Sequence, residues 1–235
     1  MTLWDLVGGK LTHIDWQFTP GDLFALVLLL IWFWLIWPKR DVGQLLADKD
    51  RQRRLLWSLM ALNLLWMLNA SIYQQLHVHF LGLVVLMQMF GWRLASIAVI
   101  MPVSLFALLV QGQAGWIAPY ALFGAVLPLF ISFTVYSRGF HLLPRNLFVY
   151  LFCAGFFNAG LVLISHMLLW GSWLWLTTDY SWAELVDRYF NLIPLLAFPE
   201  ALLNGMALTL LVVYRPEWLY DFRDNQYWPG GSNKK

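Results

Sequence analysis

Charge is what this chain has least of. Only 12% of its 235 residues are Asp, Glu, Lys or Arg, about half the share of an ordinary soluble domain. The formal net charge of +2 is too small and too scattered for a nucleic-acid-binding surface, and no nucleic-acid partner is expected. A single cysteine, Cys153, excludes a disulfide framework and a cysteine-based zinc motif; set in an apolar stretch, it reads as a small buried residue. The chain has no G-x-x-x-x-G-K-[ST] phosphate loop, no H-E-x-x-H and no G-x-S-x-G. ATP hydrolysis, zincin chemistry and α/β-hydrolase chemistry therefore have no sequence basis. The opening MTLWDLVGGKLTHIDW lacks a basic region followed by an apolar run and a small-residue cleavage site, so no removable signal peptide is expected.

What the chain has in abundance is oil. Apolar residues make up 60% and aromatics 17%, with fifteen Trp, the composition of a membrane protein. A span needs about 20 mostly apolar residues, and seven segments are candidates: roughly 20–37, 54–73, 79–92, 94–112, 118–137, 146–170 and 187–214. The third is short and is separated from the fourth only by Gly91-Trp92-Arg93, so six spans with one irregular hairpin is the competing count. Lys and Arg discriminate between the two. With the 38–54 loop in the cytoplasm and each segment crossing once, every basic residue of the fifteen except Lys10 and Arg188 falls inside. Merging the third and fourth segments would put Arg138 and Arg145 outside. The expected fold is therefore an all-α polytopic membrane protein of seven transmembrane helices, its N-terminus outside and its C-terminus cytoplasmic. An outer segment 1–19 precedes the membrane domain 20–214, and a cytoplasmic tail 215–235 follows it. Such a chain is a multi-pass protein of the inner (plasma) membrane, with the lipid bilayer as its solvent.

Two loops carry further expectations. The 38–54 stretch PKRDVGQLLADKDRQRR mixes both signs, as a solvated positive-inside loop or as a short helix on the membrane surface or a cytoplasmic partner. The 171–186 stretch has neither Lys nor Arg and places Trp173, Trp175 and Trp182 near the outer water–lipid boundary.

Four of the five histidines, His13, His77, His79 and His166, fall on or near the outer side. Neutral imidazole is the usual ligand of borderline divalent metals, so outward histidines define a candidate entry site. His77 and His79 point the same way in a strand or extended loop, but lie about 200° apart on a helix and then cannot share an ion. His77 reads as exposed or as a ligand, His79 as a ligand or member of a buried network. His166, near Ser165 and Asn158, either hydrogen-bonds between helices or binds metal. Asp15 is a possible oxygen ligand.

Deeper in the membrane lies Glu200, in FPEALLNGMALTLL. A mid-membrane carboxylate costs several kcal/mol and so faces protein or water. With Asn204 one turn later on the same face, it either touches a cation or pins the last span by hydrogen bonds. Asn158, His166 and Gln88 complete an intramembrane polar set.

Two stretches carry a resemblance. HFLGLVVLMQMFGWRLASIAVIMPVSLFALLVQGQAGW, residues 79–116, resembles the part of the CbiM/NikM family in which His-x-x-Gly opens a helix and a later long helix ends in Gln before a Gly-rich bend. IPLLAFPEALLNGMALTLLVVYRPEWL, residues 193–219, is similar to that family's last helix. The resemblance implies the substrate-capture subunit of an energy-coupling-factor (ABC-type) importer for cobalt or nickel. It also implies a transmembrane coupling subunit and two cytoplasmic ATPase subunits as partners. The transported metal is its substrate, no bound organic cofactor is expected, and the chain itself is not an enzyme.

The family's ligand set maps only in part. Its second histidine corresponds to His79, but its chain-terminal Met-His-Ile corresponds to His13-Ile14, which twelve residues precede. The terminal-amine ligand is thereby missing, and PYALFGAVLPLF lacks the Asn and Met usual in a middle helix. A site of His13, His79 and His77 with Asp15 suits tetrahedral zinc as well as cobalt or nickel. The alternative is an integral membrane protein of the same fold that binds metal without transporting it, or binds haem through His79 and His166.

Overall fold

The computed structural model describes residues 14–73, 76–142, 146–220 and 222. Helix α1, Pro20–Ile36, starts at a capping box: Thr19 Oγ1 accepts from Asp22 N, and Asp22 Oδ2 accepts from Thr19 N at 2.8 Å. It stops at Trp37-Pro38, because proline disfavours helical backbone in the residue before it. The chain then bends by 78° into α2, Lys39–Ala47, so part of the 38–54 loop is a short helix. Asp48 caps α3, Lys49–Met67, accepting from Asp50 N and Arg51 N. The bond from Arg51 N, seconded by that from Asp50 N, holds the exposed Asp48 carboxyl below the usual carboxylate range.

After Leu68 the chain leaves the helix. Strands β1, Asn69–Tyr73, and β2, Leu76–His79, pair antiparallel with Asn69 opposite His79 and Ser71 opposite His77. The sequence reading carried the second helical segment to residue 73 and began the third at 79; the structure puts a hairpin there. Ile72, Tyr73 and Val78 favour extended backbone, and Gly82, at φ +63°, delays helix entry to Leu83. A side chain at Gly82 would also meet Leu62 at 3.0 Å.

Helix α4, Leu83–Phe90, is short and buried on nearly every side. After Gly91 come α5, Trp92–Gln111, α6, Ile117–Arg138, and α7, Leu147–Thr177. Each of these three contains a wider π turn: Ala107–Gln111, Tyr120–Val126 and Leu151–Phe157 respectively. Helix α8, Trp182–Arg188, begins at a second capping box, Ser181 with Glu184. The Ser181 backbone and hydroxyl bonds hold the Glu184 carboxyl below its ordinary range. Last comes α9, Ile193–Tyr214, with Pro194 in its first turn, where no N–H is needed, and Pro199 inside it.

Helices α6 and α9 both pack on α7, and α4 is held among the three. The core includes Trp66, Leu83, Phe90, Phe106, Tyr120, Met167 and Trp170. Exposed Leu30, Trp34, Leu35, Leu195, Phe198, Leu210 and Val213 face away from it, as side chains solvated by lipid must. Among the described residues, four helical stretches are long and apolar enough to cross a membrane, or five if α1 and α2 count as one broken span. Helix α3 opens with charged Lys49, Asp50, Arg51, Arg53 and Arg54, and α4, at about 12 Å, is too short to cross alone.

The N-terminal segment is tied to the end of α5. Asp15 N donates to Gly112 O at 2.8 Å and Ala114 N to Asp15 O at 2.9 Å. Gly115 permits this approach, since a Cβ there would lie 2.7 Å from Gln17 O.

Candidate functional site

The turn between β2 and α4 has a polar cluster on each side. On one side is His79, the last residue of β2, buried at 6% exposure. Its Nδ1 lies 3.1 Å from Phe80 O and its Nε2 lies 2.7 Å from the hydroxyl of Tyr120. A carbonyl can only accept, so Nδ1 carries the proton and Nε2 is the lone-pair nitrogen, accepting from Tyr120. A metal-binding histidine is wired this way, with one ring N–H fixed by a backbone carbonyl and the other nitrogen presented. Trp66 and Phe106 pack against the imidazole with ring centroids 4.7 Å from it. Trp66 also ties the turn, its Nε1 donating to Leu81 O at 3.0 Å.

His77 lies on the same strand, two residues back, and its ring centroid is 5.8 Å from that of Phe106. The strand settles the geometric question: at this spacing the two histidines share a face. His166, on α7, is buried, and Nδ1 donates to Gly124 O in the π turn of α6 at 2.6 Å. Its ring centroid is 6.1 Å from that of His79 and 5.7 Å from that of Tyr120.

The other expected ligands lie elsewhere. Asp15 sits in the backbone bridge to Gly112 and Ala114, and its Oδ1 accepts from Gln17 N at 2.9 Å. His13 lies outside the described residues. Among the described residues no three His, Cys, Asp or Glu side chains gather as a metal site.

On the other side of the turn stands Glu200. Its two oxygens accept from Leu81 N and Gly82 N, each at 2.8 Å. Asn204 Nδ2 donates to Glu200 Oε1 at 2.7 Å, while Asn204 Oδ1 accepts from Val85 N at 3.3 Å. Of the two roles open to Glu200, this geometry realises the pin: α9 caps the buried N-terminus of α4, and the carboxylate faces donors that have no other partner within the helix. Asn158 Oδ1 accepts from Ser132 Oγ at 2.9 Å, joining α6 to α7, and Gln88 Nε2 donates to Ala154 O at 3.3 Å. The expected polar set is thus distributed: Glu200 with Asn204, Asn158 with Ser132, Gln88 with α7, and His166 beside His79.

Tyr120 was not among the residues picked out from the sequence. The available signal was a phenol inside the apolar run PYALFGAVLPLF, since a buried tyrosine hydroxyl requires a partner. Which partner follows only from three-dimensional packing.

The comparisons with known proteins give one family. A model described as the cobalt uptake substrate-specific transmembrane region, CbiM, matches residues 13–218. No curated protein and no solved structure matches.

Proposed function

On the premise that this chain belongs to the CbiM family, a membrane component of cobalt uptake, we propose that it captures a divalent transition-metal cation at its outer side through His79. The observation that carries this reading is the wiring of His79: Nδ1–H is committed to Phe80 O and Nε2 is held by a single exchangeable bond from Tyr120. A soft or borderline cation such as cobalt or nickel, with zinc admitted by the same donors, replaces that hydroxyl at Nε2. His13 is proposed as a further nitrogen ligand, and His77 adds an imidazole on the face of His79. Asp15 supplies an oxygen only if it gives up its bond to Gln17 N. A haem held by His79 would have to displace Tyr120, Trp66 and Phe106, so the packing favours a bare cation.

Seven crossings remain the topology that best serves this role. Helix α3 continues outward into the hairpin, and β2 with α4 makes the third crossing, the polar N-terminus of α4 being satisfied by protein rather than lipid, as broken membrane helices require. The positive-inside bias then places the N-terminus outside and the C-terminus in the cytoplasm of an inner-membrane protein. Without a phosphate loop in the chain, ATP hydrolysis falls to partners: two cytoplasmic ATPase subunits and a transmembrane coupling subunit of an energy-coupling-factor importer. The test is radioactive cobalt uptake by cells expressing the chain with those partners. His79→Ala should reduce uptake to background while the protein still reaches the membrane; wild-type uptake by that variant would overturn the assignment.

A further inference from the structure

His166 shares with His79 a feature that neither the matched family's description nor spacing in the sequence assigns. Its Nδ1 lies 2.6 Å from a backbone carbonyl, that of Gly124, so Nδ1 carries the proton and Nε2 is left as the lone-pair nitrogen. His79 is arranged identically through Phe80 O. Two buried imidazoles from separate elements, β2 and α7, thus have Nε2 left as the lone-pair nitrogen by the same device, a ring N–H tied to a backbone carbonyl. Their ring centroids are 6.1 Å apart. Two imidazoles each bonded to one ion at about 2.0–2.1 Å have centroids at a separation of that order, so the spacing is compatible with one shared cation.

Between the same elements stands Tyr120, 2.7 Å from Nε2 of His79, with its ring centroid 5.7 Å from that of His166. The walls around Tyr120 are the rings of Trp66, Phe106 and Trp170, and the indole N–H of Trp66 is occupied by Leu81 O. The π turn Tyr120–Val126 brings both the hydroxyl and the Gly124 carbonyl to this place, a use of such turns common at functional sites.

Resting on the reading of His79 as the capture ligand, we infer that His166 is a second nitrogen ligand. With His79 it forms a buried two-imidazole station for a divalent transition-metal cation, and Tyr120 closes the station by bonding to Nε2 of His79 when no ion is present. Ligation requires the tyrosine hydroxyl to leave Nε2, and no bond is broken apart from that hydrogen bond. The station is complete within the described residues and does not depend on a free chain terminus. It adds the imidazole of His166 to that of His79, which is common to the capture step and to the station.

The experiment is Co2+ titration of the purified full-length chain, read by calorimetry and by X-ray absorption at the cobalt edge, which counts bound imidazoles. The variants are His166→Asn, which keeps a donor for Gly124 O while removing the lone-pair nitrogen, and Tyr120→Phe. Thermal melting of each verifies folding. His166→Asn should weaken binding at least about tenfold and lower the imidazole count by one. Tyr120→Phe should strengthen binding about fivefold, the equivalent of one neutral hydrogen bond, whatever the state of His166→Asn. Unchanged affinity and unchanged imidazole count in His166→Asn would overturn the inference, as would weakened binding in a folded Tyr120→Phe. His79→Ala separates the two levels: if it binds as wild type, the capture reading itself fails, whereas loss in His79→Ala with wild-type binding in His166→Asn refutes only the two-imidazole station.

Discussion

The clusters around Glu200 and His79 flank the same turn, residues 80–85, yet differ in how much of their bonding capacity is already committed. Both Glu200 oxygens and the Asn204 amide are engaged by Leu81 N, Gly82 N, Val85 N and one another. His79 has one nitrogen fixed and the other held by one neutral bond. A carboxylate spread over several charge-assisted bonds is costly to release, because each freed donor stays buried and unpaired. An imidazole that loses a phenol and gains a metal ion is not left unsatisfied. On the proposed reading, formal charge in the membrane therefore does not identify the ligand. The charged residue holds the turn in place, and the neutral one is the ligand we propose.

Breaking the Glu200 side of this comparison should give the largest loss of stability. Glu200→Leu leaves Leu81 N and Gly82 N without their partner, while Asn204 Nδ2 keeps only its bond to the backbone carbonyl of residue 200. At about 1–3 kcal/mol for each buried group, the variant should be recovered mostly aggregated. In Glu200→Gln only one oxygen remains to accept, so its detergent melting temperature should fall clearly while the folded fraction keeps Co2+ affinity within about threefold. A normal melting temperature for Glu200→Leu would remove the pin.

Gly82→Ala comes next. Its φ of +63° and the 3.0 Å approach to Leu62 should cost about 1–3 kcal/mol. Because the turn also carries His79, metal affinity should fall with stability, which is the coupling that Glu200→Gln largely avoids. Melting and calorimetry on the same sample check this.

Asp48→Ala, far from both clusters at the start of α3, should give the smallest change and leave Co2+ affinity untouched. The Asp48 carboxyl sits below its ordinary range when folded, so its contribution is present at neutral pH and is lost as pH falls through the folded-state value. Melting curves of wild type and Asp48→Ala should therefore differ at neutral pH and converge in acid. A constant difference would mean the cap acts without its charge.

Much of this was legible in the sequence, and the reasons are specific. Long apolar runs located α5, α6, α7 and α9, because each buries or presents to lipid nearly every residue. Mixed charge at 38–54 left a solvated loop and a short surface helix both open, and part of the stretch is α2. Glu200 and Asn204 stood out because polar groups in oil need partners, but the partners are backbone N–H groups, which no side-chain pattern reveals. The hairpin 69–79 was hidden inside an apolar run, and periodicity alone separates strand from helix poorly in such stretches. Tyr120 and Gly124 came to the site through a π turn and packing from α6, a tertiary fact without local signature. His13, the expected first ligand, lies outside the described residues.

The most direct test of the central claim is Co2+ calorimetry on the purified chain with His79→Phe. That substitution keeps an aromatic ring against Trp66 and Phe106 and removes Nε2. The account predicts a folded protein whose melting temperature is little changed and whose Co2+ affinity is at least about a hundredfold weaker, beyond the usual cost of losing a supporting contact. A folded His79→Phe protein that binds Co2+ as tightly as wild type would contradict it.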